Sequence, residues 1–361
     1  MGSRKRGRWV LVALAVLIVG VVAAGCGGDD DTTSGGSDTG GGNTATAEVQ
    51  DVELTLPFQD SIVWAGYEIA RDRFYEPLGL NVSTNAAEGG SFVIQQLIAG
   101  NLDYAVTGTP ETIIAAAEGH ELVGIANIDS DVFTIAATPD SGVKSVEELK
   151  GEALGVTDIG GGEIPLVNAV LASAGLVPNE DVELVVVGPG GPAAARALQT
   201  GQVAAYAGAI NDFAGIEATG VEFQPILDEE FTNLPNDELV VRREVLDDPE
   251  TLATVLKIAQ GWFEGTLFGN ENPDEGLEIV CQMVPEDCRD MDVAQGFFDK
   301  TIEIELAPAE SGGAHDYAKL KTVVDSIAVK DAPAAANIDL EEVFPNEYAE
   351  QIKEAMDGGG S

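Results

Sequence analysis

The chain has 361 residues, with 62 Asp or Glu against 18 Lys or Arg, and a formal net charge of −44. A surface of that sign repels nucleic acid and anionic lipid, which excludes both as partners. Solubility alone accounts for the excess, and a saline habitat, where salt screens self-repulsion, would account for it too.

At the N-terminus, Arg4, Lys5, Arg6 and Arg8 precede an apolar run over 9–25 that ends Ala23-Ala24-Gly25-Cys26. A basic start, a short apolar stretch and small residues at its end form a secretory signal. The small residues before Cys26 resemble a bacterial lipobox. That implies a signal peptide over 1–25, acylation of Cys26 and a mature chain held by lipid on the extracytoplasmic face of the cell membrane. A spanning anchor is the competing reading, but the run is short of the roughly 20 apolar residues a bilayer requires. Loss of the four basic residues takes the charge from −44 to −48. Residues 26–51, rich in Gly, Asp, Thr and Ser, read as a flexible tether.

From residue 52 the pattern becomes globular, and roughly 300 residues suit two domains or lobes. Val52-Glu53-Leu54-Thr55-Leu56 alternates as a strand, and 61–75 is helix-like. Leu80-Asn81-Val82 is a second strand, 91–99 a helix stopped by Gly100, and Tyr104-Ala105-Val106 a third strand. Thr109-Pro110 reads as a helix cap followed by proline at the first helical position, and Leu122–Ala126 as a strand. After Pro139 the rhythm restarts. Ser145-Val146-Glu147-Glu148 is a capping-box pattern, and Leu154-Gly155-Val156 and Leu184–Val187 are strands. Helices open at Gly160-Gly161-Gly162 and at Gly188-Pro189-Gly190-Gly191-Pro192. Such alternation predicts an α/β fold with a mostly parallel sheet. Gly89-Gly90, Leu97, Gly100 and Leu102 recur as Gly190-Gly191, Leu198, Gly201 and Val203, a weak repeat that any two strand–helix–strand units could imitate.

The C-terminal third is helical. Asp248-Pro249 opens a helix carrying Leu252, Val255, Leu256, Ala259, Trp262, Phe263 and Leu267 at three- and four-residue spacing, which places Trp262 in the core. Further helices are expected near 273–283, 290–303 and 314–329, with a tail over 351–361. In an exported chain Cys281 and Cys288, separated by a segment containing Pro285, suit a disulfide. Two free thiols or a metal site are the alternatives, although neither His120 nor His315 is near in sequence.

Two histidines in the whole chain leave little for Ser-His-Asp chemistry, and the Gly188–Gly191 run lacks full dinucleotide spacing. No catalytic residue, metal or cofactor is expected. Four glycine-led helix starts follow strands, at Gly89-Gly90-Ser91, Thr107-Gly108-Thr109, Gly160–Gly162 and Gly188–Gly191. In open α/β sheets ligands sit beyond the carboxyl ends of the strands, where bare N–H groups hold polar atoms. One such run is most simply a tight turn; four at one edge suggest a shared polar pocket.

Three segments carry a family resemblance: Leu97–Val106, Ser141–Gly151 and Ala174–Leu184. In their order and spacing, the stretch Leu54–Val245 resembles the solute-binding proteins of the nitrate, sulfonate and thiamine-precursor (pyrimidine) family that serve ABC importers. The resemblance implies a type II periplasmic-binding-protein fold, two α/β lobes closing on a ligand. It puts lobe crossings near 138 and 238, with 52–137 plus 239–350 in one lobe and 139–237 in the other. The implied ligand contacts are Phe58, Gln59 and Trp64; Gly90 and Ser91; Thr107, Gly108 and Thr109; Gly161, Gly162 and Glu163; and Asn211 and Asp212. The implied partners are a small-molecule ligand, an ABC permease and the membrane through the lipid anchor, for a monomeric chain. Phe58 and Trp64 offer aromatic faces, Glu163, Asp212 and Gln59 offer acceptors, and no Lys or Arg lies in these loops. That favours an aminopyrimidine thiamine precursor over a sulfonate, taurine or nitrate. Glu163 and Asp212 facing solvent, and Trp64 in the core, are the bland alternatives. An exported pyrimidine enzyme is the alternative of another class.

Overall fold

The computed structural model describes residues 49–159, 161–325 and 332–358. The expected signal peptide, the Cys26 lipid site and most of the tether lie outside these residues. The first strand, β1 (Gln50–Leu56), already includes the last two residues assigned to that tether.

β1 buries Val52, Leu54 and Leu56, as the alternation predicts. It pairs in parallel with β2 (Leu80–Ala86). Between them a three-residue 3-10 turn, Ile62–Trp64, leads into α1 (Ala65–Arg73). Next come α2 (Gly90–Ile98), β3 (Tyr104–Gly108), α3 (Thr109–Ala117) and β4 (Leu122–Asn127). β5 (Phe133–Ala137), β6 (Ala153–Val156), α4 (Ile164–Ser173), β7 (Glu183–Val186), α5 (Pro192–Gln199), β8 (Ala205–Ala209), α6 (Ile210–Glu217) and β9 (Gln224–Pro225) follow. The chain then runs through β10 (Asp237–Arg242) into α7 (Pro249–Glu271), α8 (Pro273–Met283), α9 (Met291–Ser311) and α10 (Tyr317–Val323). It ends in α11 (Leu340–Val343) and α12 (Glu347–Gly358).

One lobe holds the pair β1-β2 and the sheet β3-β10-β4; the other holds a five-stranded sheet ordered β7-β6-β8-β5-β9. β6 runs parallel to β7 and β8, whereas β5 and β10 are antiparallel to the strands they pair with. This mixed two-sheet α/β architecture is the type II periplasmic-binding-protein fold. The first crossing falls between β4 and β5, so strand 133–137 belongs to the second sheet rather than to the lobe ending at 137. The two crossing segments pair antiparallel at Ser130 and Pro235. Asp131 and Asn233 turn there with positive φ, and the Asp131 carboxylate accepts from the Asn233 and Leu234 N–H groups.

Each sheet has its own core. Leu54, Leu56, Trp64, Tyr67, Ile125, Val241, Trp262 and Phe263 pack together in the first lobe. Ile135, Leu154, Val156, Val167, Val170 and Ala207 pack in the second, in a cluster that continues through Phe231 to Leu320, Val323 and Phe344 of the C-terminal region.

Several local expectations need correction. Thr109 is the first residue of α3, not its cap; Gly108 precedes the helix and the Thr109 hydroxyl donates instead to Glu238 Oε1. Glu147–Leu149 make only a 3-10 turn, and Glu148 accepts from the Lys144 N–H. Residues 351–358 are not tail: they complete α12, which buries Tyr348, Ala349 and Ile352. Asp248 does cap α7, accepting from the Glu250 N–H at 3.2 Å.

Candidate functional site

The expected contact residues gather at the carboxyl ends of strands, as two internally connected sets, one per lobe. In the first lobe, the Gly89 N–H donates to the Pro57 carbonyl at 2.7 Å, tying the loop after β1 to the start of α2. Gly89 has φ 100°, which a side chain would resist. Thr107 is fully buried, and its hydroxyl donates to the Gly90 carbonyl at 3.2 Å. Glu111, in the first turn of α3, lays its carboxylate over both glycines. A Cβ on Gly108 would meet Glu111 Oε2 at 2.1 Å, and one on Gly90 would lie 3.5 Å from Oε1. Burial holds the Glu111 carboxyl above the ordinary carboxylate range. Burial also pushes nearby Asp237 up to about 7, with the Glu111 charge adding to the effect.

Phe58 is 42% exposed and stacks on Trp64 with ring centroids 4.7 Å apart. Trp64 itself is fully buried, edge-on to Trp262, and its Nε1 has no hydrogen-bond partner among the described residues. The open aromatic face is therefore Phe58, and Trp64 is the floor beneath it. Gln59 and Ser91 are exposed.

In the second lobe, Glu163 is buried and accepts from the Thr157 N–H at 2.8 Å and the Thr157 hydroxyl at 2.7 Å. A Cβ on Gly161 would meet the same two side chains, and one on Gly162 would meet the Phe133 ring at 2.5 Å. Asp212, also buried, accepts from the Gly190 N–H at 2.7 Å and the Ala209 N–H at 3.0 Å. Burial raises its pKa, the two backbone bonds oppose the rise, and the Glu163 charge adds to it. Tyr206 donates to the Gly188 carbonyl, and its phenol is raised by burial and by Asp212 and Glu163. Asn211 is exposed beside Asp212. The crossing segments reach both sets: Thr109 N–H donates to the Asn236 carbonyl, and Ile210 N–H to the Val132 carbonyl. The first N–H of α3 and that of α6 are thus each fixed by a different crossing segment.

Glu111, Thr157, Tyr206 and Phe133 were not among the expected contacts. Glu111 had a signal, an acid two residues after a strand-end glycine-threonine pair; the other three had none beyond proximity to a strand end. A cavity of about 850 Å³ lies elsewhere, against the crossing segments and α9, and is lined by Ser130, Thr134, Phe213, Asn233, Lys300 and Lys319 among others. None of the expected contacts lines it. The expected contacts lie instead at the strand ends, beside the buried polar side chains of Thr107, Glu163 and Asp212.

Two lobes, each with its own sheet, joined by paired crossing segments, define the class as a periplasmic-binding-protein fold. The family model described as NMT1/THI5 like matches residues 63–275, and the chain belongs to that family. A Brucella abortus protein described only as a binding protein is 24% identical over 225 residues, 59% of this chain and 65% of the relative. The same figures hold for a Brucella suis counterpart. The chain thus spans just under two thirds of these curated relatives. Among solved structures, the periplasmic sulfonate-binding protein SsuA of Methylobacillus flagellatus superposes with a TM-score of 0.60 at 18% identity, covering 87% of this chain and 96% of that one. The periplasmic nitrate-binding protein NrtA of Synechocystis gives 0.56 at 15%, covering 86% and 90%. The aliphatic sulphonate-binding SsuA of Escherichia coli gives 0.52 at 19%, covering 68% and 78%. At these identities the likeness concerns the fold.

Proposed function

We propose that the chain is the extracytoplasmic solute-binding component of an ABC importer, lipid-anchored through Cys26, and that its ligand is a neutral or weakly cationic heteroaromatic, with an aminopyrimidine thiamine precursor favoured. Family membership supports the transport role. One observation carries the ligand class: the site loops contribute Glu111, Glu163 and Asp212 and not one Lys or Arg. The carboxylates of Glu163 and Asp212 are occupied by the protein's own donors. The Glu111 carboxylate, folded over Gly90 and Gly108, accepts from its own backbone N–H and keeps acceptor capacity for a ring-bound amino group. Phe58 supplies the stacking face.

Calorimetry on the mature chain tests this. An aminopyrimidine should bind at micromolar concentration or tighter, with no heat from taurine or nitrate. Phe58→Ala should weaken binding by about 1 kcal/mol, the scale of one aromatic stack. Glu111→Gln should weaken it by about 2 kcal/mol, the scale of a charged hydrogen bond. The ligand should be recovered unchanged after prolonged incubation; its conversion would instead support an exported enzyme. Tight binding of an alkanesulfonate or nitrate, without the pyrimidine, would overturn the ligand class and leave the transport role standing. Cys26→Ser should release the protein from membranes or leave the signal uncut; continued retention with the signal removed would refute the anchor.

A further inference from the structure

The loop that carries Phe58, Gln59 and Trp64 is fastened from a distance. Its 3-10 turn, Ile62–Trp64, begins at Ser61, which makes no capping bond of its own. The first N–H of that turn, on Ile62, donates instead to Asp287 Oδ2 at 3.0 Å, and the Ser61 hydroxyl donates to the same oxygen at 2.8 Å. Asp287 lies 225 residues further along the chain, in the loop after α8. A disulfide closes that loop by joining Cys281 to Cys288, the residue next to Asp287. The loop is tightened further by the Asp287 N–H, which donates to the Val284 carbonyl at 3.1 Å. Beneath it Ile62, Val280, Val284 and Phe298 form one apolar cluster, with Cys281 and Cys288 packed against it. On the other side of the turn, Asp60 is bonded to Arg71 at 2.7 Å.

We infer that Asp287, held in place by the Cys281–Cys288 disulfide, is a positioning residue for the Phe58–Trp64 ligand loop. An exposed aspartate on a surface loop has many rotamers, and a cap supplied across the chain works only if both ends are held. The disulfide holds one end by fixing the backbone beside Asp287. The buried side chains of Ile62 and Trp64 hold the other. The result sets the direction in which the chain leaves Ser61, and so the height of Phe58 above Trp64. This inference rests on the reading of that loop as part of the ligand site.

The test compares Asp287→Ala, Asp287→Asn and the Cys281→Ser/Cys288→Ser pair, each in the full mature chain. Amide exchange over residues 57–67 is followed by mass spectrometry without any ligand. Losing a charge-assisted acceptor should raise exchange there by about ten-fold in Asp287→Ala. The serine pair should raise it by a similar factor, and adding Asp287→Ala to the serine pair should change little more. Asp287→Asn keeps one acceptor oxygen and should stay near the parent. Unchanged exchange over 57–67 in Asp287→Ala, or an effect of the serine pair confined to 281–290, overturns the inference. Calorimetry with an aminopyrimidine then separates the two proposals. Weaker binding in Asp287→Ala, restored in Asp287→Asn, supports both. Faster exchange with unaltered affinity overturns the role in binding. Faster exchange in a parent chain that binds no aminopyrimidine leaves the fastening established and overturns only the ligand.

Discussion

Glu163 and Asp212 show how a carboxylate at a helix start can be taken up by the protein's own donors. Asp212 joins the Gly190 N–H in one lobe-edge loop to the Ala209 N–H at the start of α6. Glu163 does the same for Thr157 and its own loop. Asp212→Ala would leave two backbone donors without acceptors in a half-buried place, so it should destabilise the protein by about 2 kcal/mol in urea unfolding. Asp212→Asn, with one acceptor oxygen kept, should fall between the two; a loss under about 0.5 kcal/mol for the alanine variant would rule the staple out. Gly190 is constrained by the same junction. A Cβ there would lie 2.1 Å from the Asp212 carbonyl oxygen, so Gly190→Ala must push α6 away. The expected cost exceeds that of an ordinary surface change, by about 2 kcal/mol or more. The sequence showed acids and glycines at these helix starts, because those residue types are visible as letters. It did not show where the carboxylates point, because that depends on loops brought together from Thr157 to Ala209. Trp64 illustrates the same limit: an aromatic near a strand end looks like a ligand face until Phe58 is found lying on it.

At the scale of elements, the helix–strand–helix runs were the legible part. Gly89, Gly90 and Gly100 lead and stop α2, and the 101-residue offset seen in the letters holds in the structure. β3 begins at Tyr104 and β8 at Ala205, while α3 begins at Thr109 and α6 at Ile210. The four helices α2, α3, α5 and α6 thus occupy matched places in the two lobes, which a chance similarity of two strand–helix–strand units does not require. β5 and β10 were not read from the sequence. Pro139 follows Val-Phe-Thr-Ile-Ala-Ala and Pro235 precedes Asp-Glu-Leu-Val-Val-Arg, but each run is punctuated on one side only, and their short apolar centres fit a helix as well as a strand. They are the antiparallel strands that follow the crossings, and the first crossing precedes β5 rather than falling near 138, where the resemblance put it. The last helix was obscured by the Gly-rich end that follows it. Yet α12 places Ile352 and Tyr348 against the core of the first lobe, and Ile352 is 1% exposed. Ile352→Ala should therefore cost about 3 kcal/mol, as for a large-to-small change in a closed core. Chain truncation before Glu347 should cost more; equal melting temperatures for parent and truncated chains would mean that α12 is only laid on the surface.

The whole molecule carries its acidity inside as well as outside. Glu68, Asp237 and Glu305 are each pushed up to about 7, in every case chiefly by burial. Glu305 is the clearest of them. It sits among α1, α7 and α9, accepting from the Gly66 N–H at 3.1 Å, the Thr266 hydroxyl at 2.7 Å and the Trp262 indole at 3.4 Å. These three bonds lower its pKa but do not offset desolvation. A carboxyl raised from 4.5 to about 7 on folding makes the native chain bind a proton that the unfolded chain has already released. The associated stability is fully present below pH 4.5 and is lost as the pH rises through 7, so the protein should melt higher at about pH 5 than at pH 8. For Glu305 alone the difference is on the order of 2–3 kcal/mol. Repulsion among surface carboxylates gives a pH trend of the same direction, and salt tells the two apart. At about 1 M salt, where the screening length is about 3 Å, the surface share fades while the buried share persists. Glu305→Gln should consequently raise the melting temperature at pH 8, change it little at pH 5, and flatten the profile that remains at high salt. A pH profile in high salt that is already flat in the parent chain, or unaltered by Glu305→Gln, would show that the surface alone sets the acid preference.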